Sequence, residues 1–223
     1  MSLTRQETSD AVTGLGWRLV LGELRACVRV ASFAEGATVA ARVAAACGAA
    51  ADEVLRVDLR PDRAILALRA PGEWRVGARE VALAEAVTGA LVADGWRTDA
   101  GLGGDVRPVQ ALEIAIDAMD IEAVRPFWSA VLGYAEGTPG DNAVVDPLGE
   151  GPMVWFQQMT EPRPQRNRIH FDVSVPHDEA GRRVGAALAA GGHLVSDAEA
   201  PAFWVLSDPE GNEACVTTWQ GRD

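Results

Sequence analysis

Apolar and polar positions along the chain fall into stretches of two different periods. Residues 4–12 predict a short polar helix, followed by a turn carrying Gly14 and Gly16 ahead of Trp17. In Glu23-Leu24-Arg25-Ala26-Cys27-Val28-Arg29-Val30 every second residue is apolar, as a half-buried strand requires. Ser32 then caps an alanine-rich helix running to about residue 50. Residues 54–59 and 64–69 read as strands flanking Arg60-Pro61-Asp62-Arg63, whose Pro and Asp suit a tight hairpin, and residues 79–93 read as an amphipathic helix. Between residues 98 and 108 the apolar period disappears and glycines accumulate, which marks a connection. The expected organisation is a first domain over 1–97, a linker over 98–108 and a second domain over 109–223.

The second domain contains an internal repeat, and such repeats decide architecture before local propensity does. Ile114-Ala115-Ile116-Asp117 followed by a helix over 120–132 parallels Ile169-His170-Phe171-Asp172 followed by a helix over about 178–190. Val144-Val145-Asp146-Pro147-Leu148-Gly149 before a strand over 153–158 parallels Leu206-Ser207-Asp208-Pro209-Glu210-Gly211 before a strand over 213–219. Each half reads as strand, helix and further strands with an Asp-Pro-x-Gly turn, in which proline presets the turn and glycine relieves it. Pro126 should kink the first of these helices or delay its start.

This repeated strand-helix-three-strand plan resembles the vicinal-oxygen-chelate superfamily, which includes glyoxalase I, extradiol dioxygenases and bleomycin-resistance proteins. The motifs that carry the likeness are Phe127-Trp128-Ser129-Ala130-Val131-Leu132-Gly133-Tyr134, residues 151–157, Glu161-Pro162-Arg163, Asn167-Arg168-Ile169-His170-Phe171-Asp172 and Asp208-Pro209-Glu210-Gly211-Asn212-Glu213. They are closest to the bacterial glyoxalase-like branch, and the resemblance implies a cup-shaped sheet with a ligand site inside it. The first domain more faintly resembles pterin-4a-carbinolamine dehydratase in its order of elements and in Val57-Asp58-Leu59-Arg60. That family depends on histidines, and the corresponding stretches, residues 51–56 and Arg69-Ala70-Pro71, contain none. The fold class expected is α+β: a dehydratase-like α/β sandwich with an antiparallel sheet, then a paired βαβββ cup.

Composition narrows the chemistry. All 20 basic residues are arginine, so lysine Schiff bases and lysine phosphate clamps are excluded. A net charge of -12 argues against nucleic acid and anionic membrane as partners. Three widely spaced cysteines and no signal-like N-terminus predict a cytoplasmic protein without disulfides.

Strand parity selects the residues able to line the cup. Glu113, Ala115 and Asp117 share one face, as do Met153, Trp155 and Gln157, while Arg168, His170, Asp172 and Ser174 share another with Cys215, Thr217 and Glu213 near it. The ligand-binding candidates are Glu113, Trp155, Gln157, Arg168, His170, Asp172 and Cys215; Trp155 and Trp204 could stack on an aromatic ligand, although large aromatics in sheets are mostly core. Carried onto this chain, the superfamily's metal positions fall on Glu113, Arg168 and Cys215, and a guanidinium cannot bind a cation. No cofactor is therefore expected, and a divalent metal would need a set rearranged onto Glu113, Gln157 and His170. Arg168 is read either as a fork for a ligand carboxylate or as a partner for Glu113 or Asp172. His177 and His193 are expected in exposed loops, and Cys215 as an inert, buried thiol. The functional expectation is a small-organic-ligand protein lacking the usual metal. The alternatives are a metal-dependent lyase, isomerase or dioxygenase, or a dehydratase-like protein with little activity, with the first domain pairing to form a homodimer.

Overall fold

The computed structural model of the protein describes residues 3–70, 76–101, 109–137, 142–162, 169–218 and 220–221. The chain divides into two compact units, Met1–Ala111 and Leu112–Asp223. Both mix helices with sheets, the α+β class. Among the described residues no helix is long and apolar enough to cross a membrane.

The first unit begins with α1 (Arg5–Thr13), capped by Thr4, whose hydroxyl accepts the Glu7 N–H while the Glu7 carboxylate accepts the Thr4 N–H. There follow β1 (Arg18–Val20), β2 (Glu23–Arg29), α2 (Phe33–Cys47), the single turn α3 (Ala51–Val54), β3 (Leu55–Arg60), β4 (Arg63–Leu68), α4 (Ala78–Ala93) and β5 (Thr98–Asp99). Ser32 caps α2 as its position suggests, its hydroxyl accepting the Glu35 N–H. The strands run in the order β1-β2-β4-β3, antiparallel throughout, with the two-residue loop Pro61-Asp62 closing β3 onto β4. Leu24, Ala26 and Val28 of β2 and Leu66 and Leu68 of β4 pack against Val39 and Val43 of α2 and Val81, Ala84, Val87 and Leu91 of α4. Thr98 and Asp99, expected to open the linker, instead pair with Val28 and Cys27, so the first sheet reaches beyond residue 97. A two-residue strand is too short to leave a period in the sequence.

The second unit is built as two equivalent halves. The first is β6 (Glu113–Ala118), α5 (Ile121–Leu132), β7 (Ala135–Glu136), β8 (Ala143–Val145) and β9 (Met153–Gln158). The second is β10 (Phe171–Ser174), α6 (Ala180–Ala189), β11 (His193–Ser196), β12 (Phe203–Ser207) and β13 (Glu213–Thr217). Their sheets have matching orders, β6-β9-β8-β7 and β10-β13-β12-β11, and in each the first strand runs parallel to the last. Pro126 lies inside α5, and helical structure continues on both sides of it.

The repeated Asp-Pro-x-Gly turns share their hydrogen bonding as well as their sequence. Asp146 accepts the N–H groups two and four residues on, Leu148 at 3.0 Å and Glu150 at 2.8 Å. Asp208 likewise accepts Glu210 at 2.9 Å and Asn212 at 2.8 Å. Gly149 and Gly211 both take positive φ, 69° and 90°, a conformation open to glycine without a Cβ clash.

One apolar core serves both halves, joining Ile116, Val124, Phe127, Trp128, Val154 and Phe156 to Leu206, Ala214 and Val216. Polar ties cross it. The fully buried Asp208 accepts the indole N–H of Trp128 at 3.0 Å, and the Glu210 carboxylate accepts the N–H groups of Met119 and Asp120 at 2.9 and 2.7 Å, covering the start of α5.

Candidate functional site

Parity along β6 and β9 sends Ile114, Ile116, Val154 and Phe156 into the core and leaves the other set on the opposite face. The parallel register aligns Glu113 with Met153, Ala115 with Trp155 and Asp117 with Gln157. Glu113 and Gln157 are exposed, and Trp155 is half-buried in the middle of that face. Trp204 differs. It pairs with Val216 on β13 and packs against the core, the commoner place for a large aromatic in a sheet. Neighbouring strand register, which the local pattern does not reveal, separates the two tryptophans.

On the second sheet, β10 aligns Asp172 with Cys215 and Ser174 with Thr217, while Phe171, Ala214 and Val216 turn to the core. The Ser174 and Thr217 hydroxyls lie 2.8 Å apart. His170 immediately precedes β10 and folds over the same face. Its Nδ1 is 3.3 Å from Asp172 Oδ1 and 3.6 Å from Cys215 Sγ. The imidazole and carboxylate are exposed, whereas the thiol is buried beneath them. Burial pushes the Cys215 thiol up to about 11, and the negative charge of Asp172, its hydrogen bond to the thiol and the charge of Glu213 push the same way. At neutral pH Cys215 is therefore a protonated donor and not a nucleophile.

The structure thus brings together three of the seven candidates, His170, Asp172 and Cys215, and holds Glu113, Trp155 and Gln157 on the face of the other sheet. Arg168 lies outside the described residues, as does Trp219. His177 stands in an exposed turn before α6, and His193, expected in a loop, is the exposed first residue of β11. Sequence parity placed His170 and Asp172 on one face. The partnership with Cys215 depends on parallel register between segments more than 40 residues apart, a long-range pairing without local trace.

A metal can be tested against these groups. The donor atoms of His170, Asp172 and Cys215 lie within 4.8 Å of one another. Around a tetrahedral zinc ion, ligand bonds of 2.0–2.3 Å place neighbouring donors about 3.4–3.6 Å apart, close to the 3.3 and 3.6 Å observed. The imidazole and thiolate suit a thiophilic ion and not magnesium or calcium, which need oxygen cages. These three residues would hold it, and the ion would supply Lewis-acid polarisation of a ligand oxygen. Among the described residues Glu113 is not part of this cluster, so the donors the fold gathers differ from the rearranged Glu113–Gln157–His170 set that a divalent metal was read to need.

Two halves with the same strand order, the same turn chemistry and a shared core coincide with a family match: residues 113–217 match the glyoxalase-like domain family. Residues 113–217 are a glyoxalase-like domain. Among solved structures, the chain is similar to a glyoxalase-related enzyme from Fulvimarina pelagi, with 18% identity over 49% of this chain and 88% of that one and a TM-score of 0.40. It is also similar to a glyoxalase/bleomycin resistance protein/dioxygenase family enzyme from Burkholderia phytofirmans PsJN, with 22% identity over 48% and 95% of the two chains and a TM-score of 0.37. A curated relative, the DNA mismatch repair protein MutL of Halobacterium salinarum, is 35% identical over 138 residues. That alignment takes in 60% of this chain but spans only 20% of the length of MutL. The polar face of β10 and β13 lies wholly within the glyoxalase-like domain.

Proposed function

We propose that the glyoxalase-like domain binds a small organic ligand against the polar sheet face carrying His170 and Asp172. The observation that supports this reading is the convergence of His170, Asp172, Cys215, Ser174 and Thr217 on one face whose reverse is apolar core. These groups offer a titratable ring, a carboxylate and hydroxyls to a molecule bearing hydroxyl or carbonyl groups. Glu113, Trp155 and Gln157 on the first sheet, and Arg168, extend the proposed contact set. A ligand-observed NMR screen of metabolites against the full chain, repeated with His170→Ala and Asp172→Asn, tests it. Binders lost in both variants are expected, and a set of binders indifferent to both substitutions would remove the assignment.

The donor spacing favours a second reading, a lyase, isomerase or dioxygenase using a thiophilic metal on His170, Asp172 and Cys215. Zinc titration of the wild type and of Cys215→Ser distinguishes it, since uptake unaffected by the serine substitution would end it. For the first unit we propose a dehydratase-like plan without its histidines, acting in assembly as a homodimer. Light scattering at high concentration tests that, with a monomer as the opposing result.

A further inference from the structure

The first unit's sheet ends in a strand with one open flank. In the order β1-β2-β4-β3, the last strand bonds to β4, and among the described residues no strand pairs with its other side. The two-residue turn makes Arg60 and Arg63 a hydrogen-bonded pair, and such pairs then alternate along the hairpin. The Arg69 N–H donates to the Val54 carbonyl at 2.9 Å, which has the same parity. Arg56, Asp58 and Arg60 therefore direct their backbone groups at β4, whereas Val57 and Leu59 direct theirs outward. The Leu55 N–H is taken up by the Ala51 carbonyl, and its own carbonyl faces outward with them. Among the described residues no turn, loop or further strand takes up the outward groups of Val57 and Leu59.

Monomeric proteins blunt such an edge with a bulge, a proline or a covering segment. β3 is six residues long and pairs without a register shift, and Pro61 sits beyond it in the turn. Leu55, Val57 and Leu59 pack against the core, so Arg56, Asp58 and Arg60 occupy the opposite face with charges that alternate in sign. Alternation of this kind rejects most ways of pairing the strand with a copy of itself. A twofold axis makes that pairing antiparallel. An axis at Arg56, Asp58 or Arg60 sets a charged residue against its own kind, which is unfavourable. An axis at Leu55 sets Val57 against Glu53 of α3, outside the strand. At Leu59 it sets Val57 against Pro61, which has no N–H to give. At Val57 it sets Arg56 against Asp58 on both sides of the axis and Leu55 against Leu59, so opposite charges meet and outward N–H and carbonyl groups find partners. Register follows from the sign of each charge, whatever else the side chains touch. Arg56 also pairs with Glu23, which Arg69 approaches to 3.9 Å, and Asp58 pairs with Arg60 at 2.8 Å.

An apolar group adjoins the same edge. A Cβ on Gly36 of α2 would stand 3.6 Å from Leu59 Cδ2, so the start of that helix lies over the end of β3. Phe33, one turn earlier on the same side of the helix, is 58% exposed.

We propose that a second copy of this chain docks on β3, antiparallel about Val57, so that the two sheets continue into one. The assignment rests on the homodimer proposed for the first unit and names the surface that forms it.

Val57→Pro in the full chain tests it. Proline on an edge strand removes an N–H that only the dimer uses, and Val57→Ala trims the side chain while keeping that N–H. Light scattering over a concentration series should show a wild-type dimer, weakened at least about tenfold by Val57→Pro and little changed by Val57→Ala. Asp58→Arg should weaken it about tenfold by setting like charges opposite, whereas Arg60→Glu, at a position facing Val54, should not. In hydrogen exchange of the wild-type dimer the Val57 and Leu59 amides should be protected about a hundredfold. A wild type that stays monomeric removes the homodimer and this surface together. A dimer indifferent to Val57→Pro, with the Val57 and Leu59 amides unprotected, leaves the homodimer standing and overturns the edge. Weakening by Arg60→Glu in place of Asp58→Arg overturns the register. Should Val57→Pro fail to fold by circular dichroism, wild-type exchange and Asp58→Arg still decide it.

Discussion

Replacing Asp208 by alanine should destabilise the glyoxalase-like domain much more than the same change at Asp146, although both residues open the same turn. Asp208 is fully buried and accepts four hydrogen bonds, from Glu210 N, Asn212 N, Asn212 Nδ2 and the indole of Trp128. In the alanine variant water can reach the turn amides, because Glu210 is exposed and Asn212 half-buried, at about 1 kcal/mol each. The Trp128 indole is buried in the core, and stranding its N–H costs about 1–3 kcal/mol more. With the Asn212 side-chain amide counted among them, the sum is about 4–6 kcal/mol. Asp146 accepts three backbone N–H groups at an open turn, and on the same count its loss should cost about 3 kcal/mol. Amide hydrogen exchange of β13 in the full chain follows opening of the second unit, to which that strand belongs. Asp208→Ala should accelerate it by about a thousandfold or more and Asp146→Ala by about a hundredfold. Equal accelerations would refute the claim that the tie between the halves carries the difference. Trp128→Phe combined with Asp208→Ala should cost less than the sum of the single changes by about 1–2 kcal/mol.

Other outcomes follow from individual positions. Cys215 ionises at about 11 in the folded chain, above an unfolded thiol, so its contribution is complete below about pH 8.5 and is lost as pH rises toward 11. Urea unfolding should therefore lose up to about 2–3 kcal/mol across that window in the wild type relative to Cys215→Ala, a slope difference whose absence would refute the shift. Asp172→Asn removes a charge that raises the thiol and should speed iodoacetamide modification of Cys215 at pH 8, measured by mass spectrometry. A Cβ at Gly192 would stand 2.6 Å from Phe127 Cε2 and 2.8 Å from the Ala187 carbonyl, so Gly192→Ala should destabilise by about 1–3 kcal/mol in the same urea assay. Gly185 in α6 has open space around its Cβ direction, and Gly185→Ala should stabilise by about 0.5–1 kcal/mol.

The sequence revealed the second unit more fully than the first because its signals occur twice. Each Asp-Pro-x-Gly fixes the end of one strand and the start of another, and the spacing between its two occurrences sets the period of the fold. Alternation assigned faces correctly within single strands, as with Ile114 and Ile116 against Glu113. It could not decide between Trp155 and Trp204, which depends on what the neighbouring strands present. The same limit concealed the contact of His170 with Cys215 and the convergence of Arg56 and Arg69 on Glu23, all of which arise from pairing between distant segments. Glu210 read as the variable residue of a turn, and only tertiary packing brings its carboxylate to the Met119 and Asp120 N–H groups just ahead of a helix some 90 residues earlier.

That tie has a consequence for how such a domain can be divided. The backbone just ahead of the leading half's helix donates to a carboxylate owned by the trailing half, and the indole of the leading half spends its hydrogen on an aspartate beyond the same boundary. Neither portion is chemically complete in isolation, so if the connecting peptide were severed the two fragments should recombine, each supplying what its mate lacks.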